Sequence, residues 1–300
     1  RVTSVSAADF AEIYDAYGFE EAVERSHFDL SYSVEPKPGL VLLVLDTNKY
    51  EQNREAGYPV SSGAFSLEQR RWILSVLEDA RAEGKAVLAF SHHSFISHGN
   101  RPSYHDLTRI IDEWPRNTRE FWDRGAPVMF TGHIHAQNVA AIRGQKGEWI
   151  YDIATGAWSM YPHPYRIIEV DDERTLSVRG RTLQAEHVTG DGAAFRTRSR
   201  AVYLEQFVEG AYRTVQEETG AGPHEARVMA RYPAFLSLNH VAGEEQGAIG
   251  SSVLPEAVAL WEDYAPELLA DYRDWMGSDG TPPDNDIKID LVGGRWRSLR

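Results

Sequence analysis

The chain has 300 residues, 42% hydrophobic and 25% charged, an ordinary globular balance that excludes a wholly disordered protein. Its longest apolar run, Leu40 to Leu45, is far short of the roughly 20 residues of a membrane-spanning helix. A formal charge of -14 opposes non-specific binding to nucleic acid or anionic membrane, but leaves room for a local metal site.

The first 35 residues read as short helices. Phe10, Ile13, Tyr14 and Tyr17 recur near helical spacing. Leu40 to Leu45, ending in Asp46 and Thr47, reads as a buried strand. A polar loop follows to Gly63. Ser66 and Gln69 form a capping-box pattern, and Leu67, Trp72, Ile73, Val76, Leu77 and Ala80 supply one apolar stripe. Gly84 is a suitable stop. Ala86 to Phe90 is a second apolar strand. Residues 106–124 read as a helix broken around Pro115, and Pro127 to Phe130 as a third strand. Four alternating segments between Gln137 and Arg179 read as an antiparallel meander.

This order predicts an α/β layered domain over residues 1–181 and a linker over 182–198. A mainly helical region follows over 199–300. There Leu204, Phe207, Val208, Ala211, Tyr212 and Val215 form an amphipathic stripe. Pro255 to Met276 reads as helix broken near Pro266, and Ile287, Ile289 and Leu291 as one closing strand. The absence of cysteine excludes disulfides and thiolate ligands. The first methionine is Met129, so the sequence reads as a fragment or as a chain whose N-terminus has been removed. Localisation stays open between cytoplasm and export.

Seven of the eleven histidines lie between positions 92 and 163. Two groups follow apolar strands: Ser91-His92-His93, and Thr131-Gly132-His133-Ile134-His135. Alpha/beta folds place their sites at the carboxyl edge of the sheet. Gly132 would permit a sharp turn. His133 and His135, two apart, would point the same way along an extended chain. They could then hold one metal or two side by side, of Zn, Fe, Ni, Co or Mn type. His92, His133 and His135 are the candidate metal ligands. His93, His98 and Arg101 are candidate substrate contacts. Asp46, His105 and His163 read better as structural or surface residues, and Arg166 as either a phosphate contact or an ordinary salt-bridge partner.

These ordered motifs resemble the later part of a calcineurin-like metallophosphoesterase. Leu42 to Thr47 is similar to that family's central strand, and residues 67–77 to the helix that follows. Thr155-Gly156 and Tyr161 to Arg166 resemble the bacterial cyclic-nucleotide phosphodiesterase-like branch, which also carries a helical C-terminal region. The resemblance spans roughly residues 10–180. It implies a four-layer αββα sandwich and two Mn, Fe or Zn-type ions. His92 and His133 would bind one ion and His135 the other. A metal-activated water would hydrolyse a small phosphate ester, a cyclic nucleotide among the candidates. The family's N-terminal Asp-x-His, Gly-Asp and Gly-Asn-His motifs are absent ahead of the histidine motifs; Gly99-Asn100 is followed by Arg101. The resemblance therefore implies an N-terminally truncated and inactive fragment, with its proton donor before Arg1. Competing readings are a non-catalytic metal-binding or interaction module and an amidohydrolase-type enzyme. The latter normally opens with its His-x-His pair, whereas here the pair follows more than 130 residues.

Overall fold

A computed structural model of the chain describes residues 5–99, 109–144, 147, 149–172, 174–186, 190–245, 253–277 and 280–299. The core begins with β3 (Leu40–Leu45), whose apolar residues face both sides of a sheet. It pairs with β2 (Tyr32–Lys37) antiparallel and with β4 (Ala86–Ser91) parallel. Between β3 and β4 runs α3 (Leu67–Ala82), which follows the short α1 (Ala7–Ile13) and α2 (Asn53–Ala56). Ser66 and Gln69 close its N-terminus reciprocally, as the sequence predicts. Gly84, at φ +68°, follows its C-terminus, where glycine adopts a left-handed turn without a Cβ clash.

After β4 comes α4 (Trp114–Asp123), with Pro115 in its first turn, where a missing N–H costs nothing. Next is β5 (Val128–Thr131), parallel to β4. The two strand-helix units predicted from the sequence are both present.

The meander divides between two sheets. β6 (Asn138–Arg143) and β7 (Trp149–Ala154) form an antiparallel pair, but β7 also joins β5 in parallel. With β1 (Glu24–Arg25), these strands complete a seven-stranded sheet ordered β1-β2-β3-β4-β5-β7-β6. β8 (Pro164–Val170) and β9 (Thr175–Thr182) leave it and open a second sheet. One face of the large sheet packs on α3 and α4 through Leu43, Ile73, Leu77, Phe95 and Phe121. The other meets the second sheet through Leu88, Val128, Tyr151, Val178 and Ile289. The large sheet thus carries helices on one face and the second sheet on the other.

The helical region starts earlier than the sequence suggests. α5 (Gly192–Thr219) is capped by Asp191, inside the expected linker. α6 (Pro223–Met229), α7 (Arg231–Ala242), α8 (Pro255–Tyr264) and α9 (Pro266–Met276) gather with it around Trp261, Tyr232 and Met229. The break between α8 and α9 falls at Ala265, before Pro266, as proline chemistry requires. The chain then returns. β10 (Ile287–Asp290) pairs with β9, and β11 (Trp296–Ser298) closes the four-stranded sheet. The end of the 199–300 region therefore belongs to the β sandwich. Among the described residues, no helix is long and apolar enough to cross a membrane.

Leu43 is fully buried between α3 and its neighbouring strands. Leu43→Ala should therefore cost about 2–5 kcal/mol, through lost transfer energy and the cavity left behind. Equilibrium denaturation measures this; a change below 1 kcal/mol would show that the core collapses around the gap.

Candidate metal centre

β4 and β5 are parallel neighbours, with Phe90 opposite Phe130. His92 and His133 follow their ends, so adjacency in the sheet brings them together across 41 positions of sequence. His133 Nδ1 lies 2.9 Å from His92 Nε2. Among the described residues, His92, His93 and His133 form one group whose ligand atoms all lie within 4.8 Å of one another.

The backbone around the second motif is not extended. His133 and His135 both take left-handed conformations, φ +60° and +56°, whereas Gly132 does not. The expectation that alternation aims His133 and His135 the same way is corrected accordingly. The turn is made by the histidines, and a Cβ on Gly132 would meet only ordinary contacts, the nearest 3.6 Å from His92 Nδ1. His135 is exposed and stands outside the three-histidine group, yet its charge is felt by both His92 and His133.

Electrostatics keep the group neutral. Burial, with a smaller contribution from His135, lowers the pKa of His92. Burial, then His93, His92, Arg109 and His135, pushes His133 down to about 4. Neutral imidazoles present lone pairs, which a metal requires. Two imidazole nitrogens on one tetrahedral zinc are roughly 3.3 Å apart, given Zn–N bonds of about 2.0–2.1 Å. The His92–His133 separation fits that spacing within a few tenths of an ångström, so these two residues fit a shared ion.

His93 does not offer the same. Its Nε2 donates to the Ser61 carbonyl at 2.9 Å, which fixes the tautomer and leaves Nδ1 to accept from Thr47 Oγ1 at 2.8 Å. A Cβ on Gly63 would lie 2.5 Å from the ring, so the loop backbone also packs on it. Both nitrogens are engaged in hydrogen bonds within the fold.

His98 is engaged likewise. Its buried ring has Nδ1 at 2.6 Å from Asn138 Oδ1 and Nε2 at 3.2 Å from Asp152 Oδ1. Burial opposes its charged form, but the Asp152 carboxylate and the hydrogen bonds of Asp152 and Asn138 outweigh that, and its pKa is raised. It cannot reach a substrate from there. Arg101 and His105 lie outside the described residues.

Asp46 accepts from the Asn48 backbone and side chain, which caps the turn after β3. His163 is bonded to the Trp158 carbonyl and to Ser199. Arg166 donates to the carbonyls of Ala154 and Asp284 and lines the cleft beside His92.

Sequence reasoning passes over Asp152. It is fully buried in β7 and accepts from Thr131 Oγ1 and the backbone N–H groups of Phe95 and Ile96. The available signal was a lone carboxylate inside the apolar run Trp149-Ile150-Tyr151-Asp152-Ile153-Ala154, where only a paired charge is tolerated. Beside His92 opens a cleft of about 620 Å³, bordered by Phe90, Phe130, Thr131, Trp158 and Tyr165.

No protein-family profile and no curated protein matches the chain. Among solved structures, a dimetal phosphatase from Danio rerio aligns at a TM-score of 0.43 and 14% identity, over 59% of this chain and 65% of that one. The chain thus spans just under two thirds of that protein's length.

Two outcomes follow from this geometry. Asp152→Asn should destabilise the fold by about 3–5 kcal/mol, because it leaves the buried His98 without its counter-charge. Denaturation of the two proteins tests this, and equal stability would show that the pair is dispensable. In EDTA, stability should also fall as pH drops from about 6.5 toward 4. Unfolded His133 takes up a proton near its ordinary pKa, while the folded chain resists until about pH 4. His133→Asn should flatten that slope; an unchanged slope would assign it to other groups.

Proposed function

We propose that the chain carries part of the active centre of a metal-dependent phosphoesterase. The reading rests above all on the pair of neutral imidazoles at the ends of adjacent parallel strands, their nitrogens 2.9 Å apart. The ordered motif resemblance agrees with it. When bound, a divalent ion there supplies Lewis acidity and lowers the pKa of a coordinated water. His92 and His133 hold that ion, and His135 stands ready for a second at the exposed rim. His93, fixed by Thr47 and Ser61, buttresses His133. The cleft beside His92 receives the organic part of a small phosphate ester, with cyclic nucleotides as one candidate class.

Two imidazole nitrogens are fewer than the three protein donors a catalytic zinc site takes. The pair by itself holds the ion weakly, and hydrolysis by this chain by itself is slow. The finer parts of the proposal are a dinuclear Mn, Fe or Zn centre in a four-layer family fold, of the bacterial cyclic-nucleotide type.

Calorimetric titration with Zn²⁺ and Mn²⁺ tests it. Binding of at least one ion is expected, weakened at least tenfold in His92→Ala and in His133→Ala, each checked for folding by circular dichroism. Absence of binding, or binding indifferent to both changes, would overturn the metal reading. Turnover of bis-p-nitrophenyl phosphate near background is expected even with metal. Clear metal-dependent turnover would retain the phosphoesterase and refute the incompleteness of the donor set.

A further inference from the structure

A second cavity, also about 620 Å³, lies at the seam between β8, β9 and the start of α5. None of the described histidines lines it. Its walls include Arg181, Arg196, Arg200, Gln137, Tyr165 and Glu244. Tyr165 also lines the cleft beside His92, so the two cavities share a wall.

Three guanidinium groups around one cavity are unusual in a chain of net charge -14. Each comes from a defined place. Arg181 on β9 stands directly opposite Tyr165 on β8. Arg196 and Arg200 are one turn apart on α5, a spacing at which like charges repel. The acids nearby compensate little. Arg181 reaches Asp286 at 3.3 Å and Arg196 reaches Glu186 at 3.4 Å, both through partly exposed side chains. Among the described residues, Arg200 makes no ion pair or hydrogen bond, and Glu244 is the one carboxylate lining the cavity.

Arg166 is a contrasting arginine in this same fold. It is half-buried, and all three of its guanidinium nitrogens donate to carbonyl oxygens. Arg181 and Arg196 each commit one nitrogen, to the carbonyls of Gly180 and Gln184 as well as to an acid, and their remaining donors and those of Arg200 border open space. Guanidinium forks match phosphate oxygens in pairs, and several of them suit an anion with more than one charged centre. Tyr165, 40% exposed, adds an aromatic surface at the rim.

We propose that this cavity binds a small molecule bearing a diphosphate group, of the chemical class of a nucleoside diphosphate. The site is independent of the metal reading. Arg200 and Arg196 grip the charged oxygens from the helix, Arg181 does so from the strand, and Gln137 supplies a neutral donor.

The test is calorimetric titration of the full chain with inorganic pyrophosphate, in EDTA so that no ion occupies the histidines. Saturable binding is expected, with an affinity that falls as salt is raised. Arg200→Gln should weaken it at least tenfold, and Arg200→Lys should recover part of the loss. His133→Asn should leave it unchanged. Arg200 makes no contact that the fold needs, and equal melting temperatures verify this. No binding of pyrophosphate would overturn the proposal. So would an Arg200→Gln protein that binds as tightly as the native chain, or loss of binding in His133→Asn, which would assign the anion to the histidine cleft. Equal affinity for inorganic sulfate would also refute it, since a general anion sink does not select a diphosphate.

Discussion

The buried carboxylate of Asp152 is the contact on which the site is built. It sits in the interior of β7, next to β5 and one strand removed from β4. Its oxygens gather the backbone N–H groups of Phe95 and Ile96, the Thr131 hydroxyl and the His98 ring. Phe95 and Ile96 belong to the loop that carries His92 and His93. Thr131 is the last residue before Gly132 and His133. One side chain therefore ties both histidine-bearing segments to a third strand. An isolated buried carboxylate is expensive, but several donors and a counter-charge convert that expense into a fixed geometry.

A second tie joins the helical region to the sheets. Asp284 accepts from the Val139 backbone at 2.7 Å through its side chain and from Arg166 at 2.9 Å through its carbonyl. Next to it, Asn285 Nδ2 donates to the carbonyl of Ala242 at the end of α7. Immediately afterwards β10 enters the four-stranded sheet. The helices are thus held at both ends of their sequence: by α5 emerging after β9, and by the return of the chain through residues 284–298. The arginine-lined cavity lies at the first of these joints, where strand and helix meet without filling the space between them.

Much of the large sheet was legible in the sequence because its signals are local. The run Leu40 to Leu45 has the length and composition of a strand buried on both faces, and Ser66 with Gln69 marks a helix start through bonds made within four residues. The histidine clusters were legible because both follow such strands. Three things were not. Whether β7 pairs only with β6 or also with β5 depends on contacts more than twenty residues apart. The transfer of β8 and β9 to another sheet, and the return of β10, depend on which apolar faces remain uncovered once the first sheet has formed. The left-handed backbone at His133 and His135 contradicts the usual preference of residues with a Cβ. Glycine at position 132 drew attention to the correct turn but to the wrong residue within it.

The histidines also show why proximity is a poor guide to ligation by itself. A ring can hold a metal only through a nitrogen whose lone pair is not already engaged. His93 lies as close to His133 as His92 does, with ring centroids 4.8 Å and 4.9 Å away. Yet Ser61 and Thr47 take both of its nitrogens, and His163 is held in the same way by Trp158 and Ser199. His98 is drawn toward its charged form by a buried carboxylate. His92 and His133 differ from all of these: among the described residues, their rings hydrogen-bond only to each other. Burial holds both below the usual imidazole pKa, so in the neutral pair one nitrogen donates its proton to the lone pair of the other. With the donor ring in its other tautomer, both nitrogens would present lone pairs to one ion. The case for a metal centre therefore lies in what these two rings lack, and His93 contributes by being fully bonded beside them.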